Sequence, residues 1–257
     1  MTRTPLTAVY PDLQDRVVLV TGGAAGIGAA HVEAFGAQRA RVVFLDRQID
    51  EGRALEATLR AGGADVTFMP CDLLDLDALG RVVDEVHTAL GPVFALVNNA
   101  AVDQRHEIDA VTAGDFDWMM NVNLRHVVFA AQKVLPHMRE AGEGAIVNTS
   151  SVAWMRGLGD LPLYSAAKAA IIGFTNSLAR EAGRSRIRVN AIAPGYVATP
   201  RQTSKWFDTA AEERMLALQC LPDRIAPRDV AALATFLCSD AARMLTKQCI
   251  ILNAGSL

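Results

Sequence analysis

Six short runs rich in β-branched and apolar residues, Val17–Val20, Val42–Leu45, Val66–Met69, Phe94–Val97, Ala145–Thr149 and Arg188–Ala193, are separated by longer amphipathic stretches. This alternation constrains the fold more than any other feature, because it is the pattern of repeated βαβ units around a parallel sheet. Near-continuous apolar runs suit strands covered by helices on both faces. A helix over Arg228–Cys238 and a seventh strand, Cys249–Leu252, complete the pattern. The expectation is α/β: a doubly wound, parallel, seven-stranded sheet flanked by helices, in a single domain spanning residues 1–257. No linker or repeat divides the chain. The polar, proline-containing stretch Pro194–Pro222 breaks the alternation where a strand end would face a crevice, and is read as a lid over about 195–222.

Composition narrows the function classes. With 25 basic and 28 acidic residues the net charge is -3, which offers no basic face for nucleic acid. The start of the chain lacks the apolar stretch of a secretory signal, and no later apolar run reaches membrane-spanning length, so a soluble, cytoplasmic protein without a membrane partner is expected. The four cysteines form no C-x-x-C pair and read as reduced thiols. The five histidines show no H-x-H or H-x-x-x-H spacing, so no metal site is expected.

The first apolar run leads into Thr21-Gly22-Gly23-Ala24-Ala25-Gly26-Ile27-Gly28 and then a helical pattern. Glycines there permit a tight turn and close backbone approach, and the helix start offers unpaired N–H groups to a pyrophosphate. A plain strand-to-helix turn is the competing reading. Asp46, closing the second run at about the 20-residue spacing that places an acid on the adenosine ribose, favours binding of a dinucleotide, and NAD over NADP. A 2′-phosphate would meet like charge at Asp46; Arg47 alone could soften that exclusion, and Ala25 supplies no second cation.

The spacing T-G-x-x-x-G-I-G resembles the short-chain dehydrogenase/reductase family, and the resemblance extends over almost the whole chain. It continues through Cys71-Asp72-Leu73, through Asn98-Asn99-Ala100 (with Ala101 where the family has glycine), and through Arg188-Val189-Asn190-Ala191-Ile192-Ala193-Pro194-Gly195-Tyr196-Val197-Ala198-Thr199-Pro200. Asn123, Ser151, Tyr164 and Lys168 fall at the spacings of the family's catalytic tetrad. Ser151 is preferred to Ser150 because its spacing to Tyr164 and the following Val152 match the family pattern. The resemblance implies a Rossmann-type sheet and a cofactor site of Gly22, Gly26, Ile27, Gly28, Asp46, Asp72, Leu73, Asn99, Ala100, Tyr164, Lys168, Pro194, Gly195, Val197 and Thr199.

The chemistry suits those residue types. Tyr164 and Lys168 stand at i, i+4 and share one helix face. By itself such a pair is ordinary surface decoration. Oxidising an alcohol requires removal of the hydroxyl proton, and a tyrosine of pKa about 10 is a poor base at neutral pH. A neighbouring ammonium and an oxidised nicotinamide favour tyrosinate, which is the role expected of Lys168. Ser151 would hold the substrate oxygen. By resemblance, Asn123 binds a water relaying protons from Lys168, and Val197 and Thr199 hold the carboxamide side of the cofactor.

Further segments resemble bacterial sugar dehydrogenases of the family: Tyr10-Pro11-Asp12-Leu13, Asp103-Gln104-Arg105-His106, Asn123-Leu124-Arg125-His126, Gly157-Leu158-Gly159-Asp160-Leu161 and Arg201-Gln202-Thr203-Ser204-Lys205-Trp206, with Gln219-Cys220-Leu221. Arg156 near the active-site mouth, with Arg201, Lys205 and Trp206 on the lid, points to a carboxylate-bearing sugar, and a 2-keto-3-deoxy sugar acid is the preferred substrate. An exposed loop arginine is the bland alternative for Arg156. Oxidation of an aldose at C1 to a lactone is the alternative reaction, and a non-catalytic dinucleotide sensor the alternative class. The final Asn253-Ala254-Gly255 departs from the Asp-Gly-Gly frequent in the family. By resemblance the protein is a homotetramer whose Leu257 reaches a neighbouring site, with simple fraying of the tail as the other reading.

Overall fold

The computed structural model describes residues 8–205 and 209–257. Its strands are β1 (Val17–Thr21), β2 (Arg41–Asp46), β3 (Val66–Pro70), β4 (Ala95–Asn98), β5 (Gly144–Thr149), β6 (Ile187–Pro194) and β7 (Cys249–Leu252). Each lies within two residues of its expected position at either end. Its helices are α1 (Gly26–Ala37), α2 (Ile49–Ala61), α3 (Leu76–Leu90), α4 (Ala113–Met120), α5 (His126–Ala141), α6 (Ala153–Arg156), α7 (Pro162–Ala182), α8 (Pro200–Lys205), α9 (Thr209–Ala217) and α10 (Pro227–Cys238). All strand pairs are parallel, in the order β3-β2-β1-β4-β5-β6-β7.

That order explains the continuous apolar runs. Alternate residues of each strand enter two separate cores. Val18, Val20, Val42, Phe44, Val97 and Val147 pack with Val32 and Phe35 of α1 and Val230 and Leu237 of α10. Leu19, Val43, Leu45, Leu96 and Ile146 pack with Leu79 and Val83 of α3, Val134 and Met138 of α5, and Leu178 of α7. The period-2 signal is present but hidden, since both faces are apolar. Going from β3 to β4 the chain returns from the sheet edge to the far side of β1. This reversal opens a crevice beyond the carboxyl ends of β1 and β4.

Local chemistry sets the element ends. Asp75 accepts from the Ala78 amide at the start of α3, and Thr112 and Asp115 form a reciprocal capping box on α4. Gly142, at φ +70°, ends α5 in the left-handed conformation. Between α4 and α5 the backbone widens to a π-helical turn over Asn121–Arg125. The stretch read as a lid is not structureless, because α8 and α9 lie within it.

A buried polar chain joins strands to helix beneath the crevice. The Asn98 amide donates to Asn148 Oδ1 at 2.9 Å, and the Asn148 amide donates to Thr175 Oγ1 of α7 at 3.0 Å. Both asparagines and Thr175 are almost fully buried, so losing one member strands the others without water. Asn148→Ala is expected to destabilise the fold by about 1–3 kcal/mol, read as a lower urea midpoint at unchanged slope.

Candidate active site

The crevice is a cavity of about 880 Å³. At one end the glycine turn leaves β1. Gly22 and Gly26 have φ of +67° and +58°, and a β-carbon on Gly28 would stand 1.8 Å from the Gly22 carbonyl oxygen. Only glycine lets α1 start this close to the turn. Ala25, preceding α1, supplies no side-chain cap, so the helix start presents backbone N–H groups to the crevice, as an anion requires. Asn99 fixes the opposite wall: its backbone amide donates to Thr21 Oγ1, and its side chain to the Thr21 and Gly22 carbonyls at 3.2 and 3.1 Å. Ala100 packs against Gly22. Ala101 is not among the residues with positive φ, so the turn does not require glycine's left-handed freedom there.

Asp46 ends β2 with its carboxylate held by the Ala24 amide (3.1 Å) and the Gln48 amide (3.0 Å). Asp46, Asp72, Leu73, Ile27, Pro194, Gly195, Val197 and Thr199 all line the cavity, so the sequence-derived cofactor residues converge on one site. The glycine cradle, open helix start and ribose-side acid fit a dinucleotide. Among the described residues no group of three or more His, Cys, Asp or Glu side chains is placed to hold a metal, and no helix is long and apolar enough to cross a membrane.

Tyr164 and Lys168 stand on α7, with Lys168 Nζ 5.7 Å from the centre of the tyrosine ring. Lys168 is fully buried and donates to the Thr149 carbonyl at the end of β5 at 2.8 Å. Ser151 acts on the Tyr164 phenol, pulling its pKa down, and its hydroxyl accepts from the Ala153 amide. Ser150 instead turns inward and donates to the Lys168 carbonyl at 2.7 Å, which separates the two serines geometrically. Asn123 sits in the π-helical turn. Its amide donates to the Val102 and Met119 carbonyls (3.1 and 3.0 Å), and its oxygen accepts from the Val102 amide. Its side chain therefore fixes the α4–α5 junction against the loop after β4.

Burial dominates the electrostatics of the pair. Burial raises the Tyr164 phenol well above its ordinary pKa and Asp103 raises it further, while Ser151 and Arg201 act in the opposite direction. Burial pushes Lys168 down to about 7, against an opposing pull from Asp103. Burial thus works against the charged form of both groups.

At the substrate end Arg156 lines the cavity, and its guanidinium donates to the Ser256 carbonyl at 3.1 Å and reaches Met215 Sδ of α9 at 3.8 Å. Arg201 pairs with Asp103 at 3.1 Å, and Gln202 donates to the same carboxylate. Arg105 pairs with Asp160. Trp206 lies outside the described residues, as does the side chain of Lys205. Sequence alone does not single out Asp103, Arg105 and Asp160 as individual site residues, although each lines the cavity. Their opposite charges are visible there, but their partners are remote in sequence and carry no spacing signal. Near the end of the chain, Ala254 adopts φ +53°, the left-handed geometry that glycine would take there more easily. Its carbonyl accepts from the Cys220 and Leu221 amides.

Comparison with known proteins agrees with the geometry. Residues 16–209 match the short chain dehydrogenase family model, and the chain belongs to that family of oxidoreductases. D-xylose 1-dehydrogenase of Caulobacter vibrioides (strain NA1000 / CB15N) is 44% identical, over 97% of this chain and 98% of that protein. The probable galactose dehydrogenase GalD of Rhizobium meliloti (strain 1021) is likewise 44% identical, over 96% of both. The crystal structure of 3-oxoacyl-[acyl-carrier protein] reductase from Brucella melitensis ATCC 23457 superposes with a TM-score of 0.92 at 32% identity, covering 100% of this chain and 98% of that one.

The depressed Lys168 pKa makes a signed prediction. Between about pH 7 and 10 the unfolded chain holds a proton on this lysine that the folded chain releases, so stability gains with rising pH. Urea midpoints of the wild type should climb across that window relative to Lys168→Met, whose profile lacks this contribution.

Proposed function

We propose that the protein is an NAD-dependent aldose 1-dehydrogenase, oxidising the anomeric hydroxyl of a cyclic sugar to a lactone. The observation that carries this reading is the charge balance at the substrate end. Arg201 faces Asp103, Arg105 faces Asp160, and Arg156 is engaged by the Ser256 carbonyl. A substrate carboxylate would have to break such pairs. A neutral sugar meets instead fixed carboxylate acceptors and guanidinium donors, the complement of its hydroxyls. The names of the two 44% identical relatives support the same reading, and nothing at the site favours the keto-deoxy acid that the arginines suggested in sequence.

In this reading Ser151 and Tyr164 both hydrogen-bond the sugar's C1 oxygen, and Tyr164 takes its proton as the carbonyl forms. When bound, oxidised NAD supplies the hydride acceptor and a positive charge beside the phenol. Lys168, anchored on Thr149, faces the tyrosine ring and passes the proton onward. Ser151, held by the Ala153 amide, fixes the substrate oxygen before reaction. Asp46 supports NAD over NADP, because a 2′-phosphate would lie against a buried carboxylate whose oxygens already accept from Ala24 and Gln48.

Three measurements check the proposal. Purified protein should reduce NAD with D-xylose or D-galactose and release a lactone; turnover of a 2-keto-3-deoxy sugar acid with none on aldoses would overturn it. Tyr164→Phe should lose at least about 1,000-fold in kcat while binding NADH as the wild type does. Asp46→Ser should raise kcat/KM for NADP and lower it for NAD, and an unchanged ratio would remove Asp46 from cofactor choice.

A further inference from the structure

The catalytic helix lacks a local N-terminal cap. Leu161 precedes α7 and has no side-chain acceptor, and Pro162 occupies the first turn. The Ser165 amide bonds the Leu161 carbonyl, but the Leu163 amide, one residue before Tyr164, finds its acceptor far away in sequence. It donates to His106 Nε2 at 3.3 Å. The same imidazole bonds the Gln104 carbonyl through Nδ1 at 3.1 Å. A carbonyl can only accept, so Nδ1 carries the ring proton and Nε2 the free lone pair. Both nitrogens have fixed roles, and the ring meets both only when neutral with the proton on Nδ1.

His106 does not act in isolation. Its own amide donates to the Asp160 carbonyl at 3.0 Å, while Arg105 holds the Asp160 carboxylate. Asp103, at the head of the same segment, takes Arg201 and Gln202 of α8. Asp103, Arg105 and His106 of the loop after β4 thus fasten the start of α7, the 157–161 turn and α8, three walls of the substrate end.

We propose that His106 is a positioning residue that substitutes for the missing N-cap of α7 and thereby fixes the height of Tyr164 in the cleft. The bond reaches the helix one residue before the catalytic phenol, where loss of an acceptor frays the first turn. A frayed turn lets Tyr164 move relative to Ser151, whose own position is set separately by β5 and the Ala153 amide. Activity should therefore depend on an acceptor at this point, while the rest of α7 keeps its contacts with β6 and α5. The effect on turnover rests on the dehydrogenase reading above, whereas the capping bond does not.

The test uses the full-length protein and two variants. His106→Phe keeps a ring without an acceptor; His106→Gln restores an oxygen at comparable reach. Amide hydrogen exchange at Leu163 and Tyr164 should speed up roughly tenfold in His106→Phe and less than threefold in His106→Gln. In steady-state oxidation of the best aldose, kcat should fall roughly tenfold for Phe, with the Kd for NADH unchanged, and recover to within about threefold for Gln. Equal exchange in the two variants overturns the proposal whatever the substrate, and so does equal kcat in the two. A wild type inactive on every aldose counts against the sugar reading alone, and the exchange measurement then decides the role of His106.

Discussion

The reversal of strand order between β1 and β4 is the constraint on which the rest of the molecule depends. It parts the connections leaving these two strands, one toward α1 and the other toward the loop after β4, and so leaves an opening at the carboxyl edge of the sheet. Most of the groups lining that opening then reach it from the end of a strand, while Tyr164 and Lys168 reach it from α7. The glycine turn follows β1, Asp46 ends β2, Asn99 follows β4, Thr149 and Ser151 bracket the end of β5, and Pro194 ends β6. A rigid apolar sheet with two cores holds these ends at fixed separations. Precision at the site therefore comes from packing far beneath it.

Burial of Lys168 shows how this scaffold shapes chemistry. A lysine almost entirely removed from water, with the Thr149 carbonyl as acceptor, has its pKa pushed down by that burial. Tyr164 is shifted the other way by the same burial. In the proposed reaction, the positive charge of a bound oxidised nicotinamide would oppose that shift. The acidic and basic residues around the mouth cancel in pairs, so the substrate end is polar without being strongly charged.

The strands and the cofactor turn were legible in the sequence because both are local signals. A buried apolar strand such as Val17–Thr21 is bounded by turns within a few residues, and a strand-glycine-helix unit such as residues 17–37 is contiguous. Tyr164 and Lys168 were legible because the helical repeat brings i and i+4 together. What could not be read was the state of the charges. Arg156 looked available for a carboxylate, yet its guanidinium is taken by Ser256, a residue from the far end of the chain. Likewise Arg201 finds Asp103, and Leu163 finds His106, through contacts that only the folded sheet creates. The helices α8 and α9 were missed because the prolines and polar residues around them mask two short helical segments.

The π-helical turn at Asn121–Arg125 also has a bearing on how such chains can vary in length. It lets α4 and α5 follow one another almost without a break while shifting the angular phase between them. Asn123 can then face Val102 and Met119 while His126, three residues on, faces inward to the Ala100 carbonyl. Removing a single residue here would turn everything downstream by about 100° about the helix axis, swinging either the asparagine or the buried histidine out of place. Between Met119 and Val127, residue count itself is part of the site.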